Sequence, residues 1–89
     1  MEIKVAIIGA GNMAEEHIKV FSSLGNFSVK GIYNRTFKKA DSLALNYDIP
    51  IVAKSISALY EKTKADILLV AVSELSVFSV LKEAFKYPW

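Results

Sequence analysis

Three small residues at fixed offsets, Gly9, Gly11 and Ala14, carry the first chemical signal in the chain. They form the pattern G-x-G-x-x-A within Ile7-Ile8-Gly9-Ala10-Gly11-Asn12-Met13-Ala14, directly after an apolar strand pattern and directly before a helical one. That context is what gives weight to so short a motif. Gly9 permits the tight turn out of the strand. Gly11 has no Cβ, so a pyrophosphate can approach the backbone closely, and Ala14 lets the helix pack against the strand. The free N–H groups and the positive dipole end of that helix then face the phosphates. An ordinary strand-to-helix turn needs fewer small residues, so the expectation is a dinucleotide cradle comprising Gly9, Ala10, Gly11, Asn12 and Met13.

A second signal lies about 20 residues after the last motif position, at the end of the second apolar run. A domain that prefers NAD puts Asp or Glu there, to accept hydrogen bonds from the adenosine ribose. Here the residues are Asn34, Arg35 and Thr36. Without the carboxylate, nothing at that position repels a 2′-phosphate. Arg35 can pair with such a phosphate and stack on adenine, and Thr36 can donate its hydroxyl. The expectation is therefore NADP(H), with NAD still open; the plainer reading is a polar turn with a solvated arginine. A third candidate is Ala71-Val72-Ser73, after the fourth apolar run. In an open α/β sheet the ligand crosses the carboxyl edge beside the first strand, and small residues leave it room. Ser73 as a simple turn residue is an equal alternative.

Nothing else reads as catalytic. His17, the one histidine, sits a turn into the first helix, away from any hydride-transfer point, and reads as a surface or structural residue. Glu15 and Glu16 favour the helix N-terminus by charge. Glu74 reads as an exposed loop carboxylate without a partner, and Asp66 as a turn or capping group at the edge opposite the cofactor. No metal-ligand cluster, nucleophile–base pair or Walker loop is present in the sequence.

To position the candidate residues the chain must form alternating strands and helices. Ile3–Ile8 is β-branched and apolar, as a strand buried on both faces should be. Ala14, Ile18, Phe21 and Leu24 mark the core face of a first helix that stops near Gly25-Asn26. Phe27–Tyr33 is the second strand, with Gly31 thinned to admit a neighbouring backbone. Phe37, Ala40, Leu43, Ala44 and Tyr47 mark a second helix, with Lys38, Lys39 and Asp41 on its wet side. Ile51-Val52-Ala53 is a brief third strand, and Ser55 caps a short helix through Leu59 and Tyr60. Lys62-Thr63-Lys64 reads as a loop and Ile67–Val72 as the fourth strand. Ser73-Glu74-Leu75-Ser76 reads as a loop, with Ser76 capping a last helix to about Phe85. Such alternation implies βαβ units, an α/β fold with a parallel, doubly wound Rossmann-type sheet, and strand order 3-2-1-4.

Composition sets the frame. The 89 residues suit one small domain, residues 1–89, and 53% hydrophobic content makes disorder untenable. A net charge of +2, with scattered lysines, excludes a nucleic-acid or membrane-surface footprint. The lack of cysteine excludes disulfides and thiolate zinc sites and fits a cytoplasmic protein. The apolar run at Ile67–Val72 is too short to span a bilayer, and the glycines, Asn12 and Glu2 argue against a signal peptide. Lys86-Tyr87-Pro88-Trp89 falls where a fifth strand would begin, so the sheet reads as truncated, with Tyr87 and Trp89 left from the core of a missing half.

On these residues the chain resembles the amino-terminal cofactor-binding domain of the Gfo/Idh/MocA oxidoreductase family. The resembling segments are Ala6 to Ala14, Glu16-His17-Ile18, Tyr33-Asn34-Arg35-Thr36 with Lys39-Ala40, and Ala65 to Val72. The resemblance spans the whole chain but only the first part of the family's. It implies a nicotinamide dinucleotide as partner. It also implies a small sugar, polyol or related substrate held by a further α/β domain, with self-association open. The family follows its fourth strand with a Pro-containing turn and a His, where this chain has Ser73-Glu74-Leu75-Ser76. Its catalytic Glu-Lys-Pro segment would fall after Trp89, so no catalytic residue carries over. Gly9 to Ala14 is also similar to pyrroline-5-carboxylate reductases, a second reading. A non-catalytic NADP-sensing module is a third.

Overall fold

The computed structural model describes residues 2–89, and for Glu74 the backbone alone; the expectation of a free carboxylate at Glu74 lies outside what it describes. Four strands and four helices alternate: β1 Ile3–Ile8, α1 Asn12–Ser23, β2 Phe27–Tyr33, α2 Phe37–Tyr47, β3 Ile51–Val52, α3 Ile56–Thr63, β4 Ile67–Val70 and α4 Glu74–Ala84. The strands form one parallel sheet in the order β3-β2-β1-β4, as the alternation predicts.

β1 lies at the centre of the molecule, because its apolar side chains are needed on both faces. Val5 and Ile7 join a core with Ala14 and Ile18 of α1 and with Ala40, Leu43 and Ala44 of α2. Ala6 and Ile8, pointing the other way, join Ile56 and Leu59 of α3 and Ala84 of α4. Alternate residues of a strand face opposite sides, so an unbroken apolar run serves two layers of helices. The β1–β2 register slips between Val5 and Ala6, which face Val29 and Gly31, leaving Lys30 as an extra residue in β2. Its ammonium lies 3.3 Å from Glu2.

Several local expectations are corrected. α1 stops at Ser23 with an extended Leu24 as its cap, next to Gly25-Asn26 as expected; Leu24 and Phe37, expected on core faces, are exposed at helix ends. A Cβ on Gly31 would lie 2.5 Å from Thr63 Cγ2 and 3.0 Å from Leu59 Cδ1, so this glycine admits side chains of α3 and not a backbone. α3 runs through Thr63, whose buried hydroxyl donates to the Leu59 carbonyl at 2.7 Å and accepts from the Ala65 N–H at 3.3 Å. β3 ends at Val52 and β4 at Val70, short of Ala53 and Val72. α4 begins at Glu74, with Ser73 and not Ser76 in the cap position, since the carbonyl of Ser73 accepts the N–H groups of Ser76 and Val77, each at 3.0 Å.

Tyr87 and Trp89 are not left without partners. Both pack on the α3–α4 core, with Tyr60 stacked on Tyr87 and edge-on to Trp89. The indole N–H of Trp89 donates to the Ala84 carbonyl at 2.7 Å. Among the described residues no helix is long and apolar enough to cross a membrane.

Candidate functional site

The site is set by where β1 ends. Gly9 N–H donates to the Tyr33 carbonyl and Ala71 N–H donates to the Ile8 carbonyl, both at 2.8 Å. The carboxyl ends of β2, β1 and β4 are thereby pinned side by side, and the chain leaves each through a short turn. Gly9 makes the sharpest departure, with φ at 126°, a conformation that side chains other than hydrogen rarely allow. Its Cα lies against Ala71, leaving no space for a Cβ.

Gly11 differs in kind. Its φ of −88° and ψ of −167° are open to any residue, and a Cβ there would meet nothing within 4 Å. The fold does not need a glycine at this position. The open volume is on the ligand side of the turn, which is what close approach of a pyrophosphate requires.

Four helices begin at this edge, and three of them have no side-chain cap. Gly11 precedes α1, Thr36 precedes α2 and Ser73 precedes α4, and no side-chain hydrogen bond closes any of these N-termini. α3 is the contrast, since Ser55 Oγ accepts the Ala58 N–H at 3.0 Å. The first N–H groups of a helix have no partner within it. Leaving three such ends uncapped around one space provides donors and positive dipole ends for an anionic ligand.

That space is a cleft of about 570 Å³. Of the residues expected at a site, Ala10, Gly11, Asn34, Arg35, Thr36, Ala71, Val72 and Ser73 line it. Gly9 is buried beneath it, while Asn12 and Met13 sit exposed on the first turn of α1, outside its walls. The lining also includes residues that the motifs do not single out as a site: Tyr33, Lys39, Ile56, Ser76, Ser79 and Val80. Lys39 is legible in the sequence as the residue one helical turn after Arg35. The α4 residues are hidden by the earlier start of that helix. No Asp or Glu is among the described lining residues, whereas Arg35 and Lys39 are. Asn34 does not reach out. Its Nδ2 donates to the Thr36 carbonyl at 3.1 Å and closes the turn that presents Arg35.

The candidate acids lie elsewhere. Glu15 Oε2 accepts the Tyr47 hydroxyl at 2.7 Å, and this bond holds the Tyr47 pKa above its ordinary value. Glu16 pairs with Lys19 at 3.3 Å and raises the lysine pKa. Asp66 Oδ2 accepts the Lys4 N–H at 3.0 Å at the amino end of the sheet, a capping role as expected. His17 is exposed.

The family model for the Gfo/Idh/MocA oxidoreductases, described as an oxidoreductase family with an NAD-binding Rossmann fold, matches residues 3–87. The match falls on the first of the families that the sequence resembles. No curated protein matches. Among solved structures, a myo-inositol dehydrogenase from Lactobacillus casei, in complex with NAD(H) and myo-inositol, superposes with a TM-score of 0.88 at 19% identity, over 98% of this chain and 26% of that one. A UDP-N-acetylglucosamine 3-dehydrogenase from Acidithiobacillus ferrooxidans gives 0.82 at 16%, over 97% and 27%. An oxidoreductase from Agrobacterium radiobacter, in complex with NAD+, L-tartaric acid and magnesium, gives 0.83 at 20%, over 94% and 25%. The chain thus spans about a quarter of the length of each of these proteins.

Proposed function

Because the chain belongs to the Gfo/Idh/MocA oxidoreductase family and forms its NAD-binding Rossmann domain, we propose that it binds NADP(H) in preference to NAD(H). We further propose that it supplies the dinucleotide half of an enzyme acting on a sugar, polyol or similar small hydroxyl or carbonyl compound. The observation that carries the cofactor reading is the cleft wall made by the β2–α2 turn. It presents Arg35 with no carboxylate at its head. An acidic group there would bind ribose hydroxyls and repel a 2′-phosphate; a guanidinium does the reverse.

In this reading the pyrophosphate lies over Gly11 and the N-terminus of α1, where the open space admits it. The adenosine end runs toward Asn34-Arg35-Thr36, and the small residues Ala71, Val72 and Ser73 leave room for the nicotinamide-side ribose. When bound, the nicotinamide exchanges hydride with a carbon bearing oxygen or nitrogen. This chain's residues bind and orient the dinucleotide, and none of them is assigned to proton transfer. The substrate class rests on the likeness to the inositol and amino-sugar dehydrogenases.

The test is a pair of fluorescence titrations of the chain with NADPH and NADH. The expected result is at least about tenfold tighter binding of NADPH, worth ~1.4 kcal/mol. Equal or tighter binding of NADH would overturn the preference.

A further inference from the structure

Beside the main cleft lies a second cavity of about 420 Å³, lined by Tyr33, Asn34, Arg35, Phe37 and Lys54. Tyr33, Asn34 and Arg35 line both spaces, so the two adjoin at the β2–α2 turn. Building on the NADP(H) reading above, we propose that the second cavity is the 2′-phosphate subsite and that Lys54 is a specificity residue, lining it with Arg35.

The placement of Lys54 follows from the sheet. β3 runs parallel to β2, with Gly31 facing Ile51 and Ile32 facing Val52. Ala53 N–H then donates to the Ile32 carbonyl at 2.9 Å, which ties the exit of β3 to the end of β2. The next residue, Lys54, therefore emerges at the same carboxyl edge as Asn34 and Arg35. Ser55 caps α3 immediately afterwards, so the segment carrying Lys54 is a short connection anchored at both ends.

The chemistry of the cavity is one-sided. Two of its five lining residues are cations, one is an amide, and no carboxylate lines it among the described residues. Among the described residues neither Arg35 nor Lys54 belongs to an ion pair, whereas Lys19, Lys30, Lys64 and Lys86 each hold a glutamate. Two exposed cations lining one cavity, with no carboxylate among its described lining residues, fit a phosphate monoester. Such a group carries between one and two negative charges near neutral pH and several acceptor oxygens. Arg35 offers the planar fork and Lys54 the point charge. Dinucleotides lacking the 2′-phosphate have nothing to place in this cavity, so Lys54 acts on the choice between cofactors more than on binding of either one.

The experiment measures NADPH and NADH affinity for wild type, Lys54→Ala, Lys54→Glu and Lys39→Ala at fixed ionic strength. Circular dichroism checks the fold of each variant. Lys54→Ala is expected to weaken NADPH about fivefold to tenfold and NADH less than twofold, with a larger selective loss for Lys54→Glu. Lys39 lines only the main cleft, and its removal is expected to weaken both dinucleotides alike. If wild type prefers NADPH and Lys54→Ala keeps that preference unchanged, the Lys54 assignment is overturned and the NADP(H) reading stands. A selectivity loss in Lys39→Ala alone would move the phosphate into the main cleft and overturn the Lys54 assignment in the same way. If wild type shows no preference for NADPH, the NADP(H) reading fails, and the subsite with it.

Discussion

Gly9 and Ala71 touch backbone to backbone, so that a Cβ built on Gly9 overlaps the Ala71 carbonyl. Neither partner can retreat. Ala71 is hydrogen-bonded to Ile8, and Gly9 is bonded to Tyr33 on the opposite side. The contact joins the end of β1 to the end of β4, and it is made at a φ of 126°. Gly9→Ala is expected to combine a strained backbone with a clash between fixed main chains, destabilising the fold by about 3 kcal/mol or more. Urea unfolding checks this; an unchanged midpoint would show that the turn can relax.

Gly11→Val separates ligand from fold. The backbone at Gly11 is extended and the space around its missing Cβ is empty. The variant is therefore expected to unfold at a denaturant concentration close to that of wild type. Its branched side chain occupies the space assigned to the pyrophosphate, so affinity for both dinucleotides should fall by more than about tenfold. A variant that binds NADPH as wild type does would remove the pyrophosphate from this turn.

The pairing of these two glycines shows what can be read in advance. Motif spacing locates the cradle, and apolar periodicity locates every strand and helix, because β1 must serve two layers and its residues advertise it. What periodicity cannot place is the helix start at α4. Ser73 and Ser76 are both residue types that cap helices, and the choice is made by tertiary position, where β4 runs out after Val70. Because α4 starts earlier than Ser76, at Glu74, Ser76, Ser79 and Val80 are not marked in advance as lining residues. Adjacency groups Asn12 and Met13 with the motif; their exposed side chains do not line the cleft, and what they offer at the start of α1 is backbone N–H groups. Lys54 gives no local signal, since it belongs to no motif and comes near the β2–α2 turn only through the pairing of β3 with β2.

Trp89 provides a test of how residues near the carboxyl end are packed. Its ring meets Tyr60 edge-on with centroids 5.1 Å apart, and its N–H is bonded to the Ala84 carbonyl. Aromatic pairs in this geometry contribute beyond the area they bury. Trp89→Ala is expected to cost about 2 kcal/mol, below the range for a fully buried tryptophan because this one is half-buried. Chemical denaturation checks it. A change under about 0.5 kcal/mol, the range of ordinary surface substitutions, would show that the side chain is not part of the folded core.

Tyr47 and Glu15 bring pH into the stability of the cradle. Tyr47 is the last residue of α2 and Glu15 lies in the first turn of α1, so their 2.7 Å hydrogen bond ties the helix behind Arg35 to the helix behind Gly11. The phenol can donate only while protonated, and a phenolate would repel the carboxylate. Its folded-state pKa is accordingly raised, the hydrogen bond from Tyr47 to Glu15 being the main cause. A raised pKa means that folding favours the protonated hydroxyl. The contribution is complete below the unfolded value of about 10 and is lost as pH climbs through the higher folded value. Tyr47→Phe should lower the melting temperature at pH 7. The gap between wild type and variant should then narrow above about pH 10, where wild type alone loses this bond. Lys19 also has a raised pKa, chiefly through its bond to Glu16 and in smaller part through Tyr47 itself, so the difference between the two proteins reports the tyrosine together with its coupling to Lys19. A gap that stays constant from neutral to strongly alkaline pH would mean that the hydroxyl does not bridge the two helices.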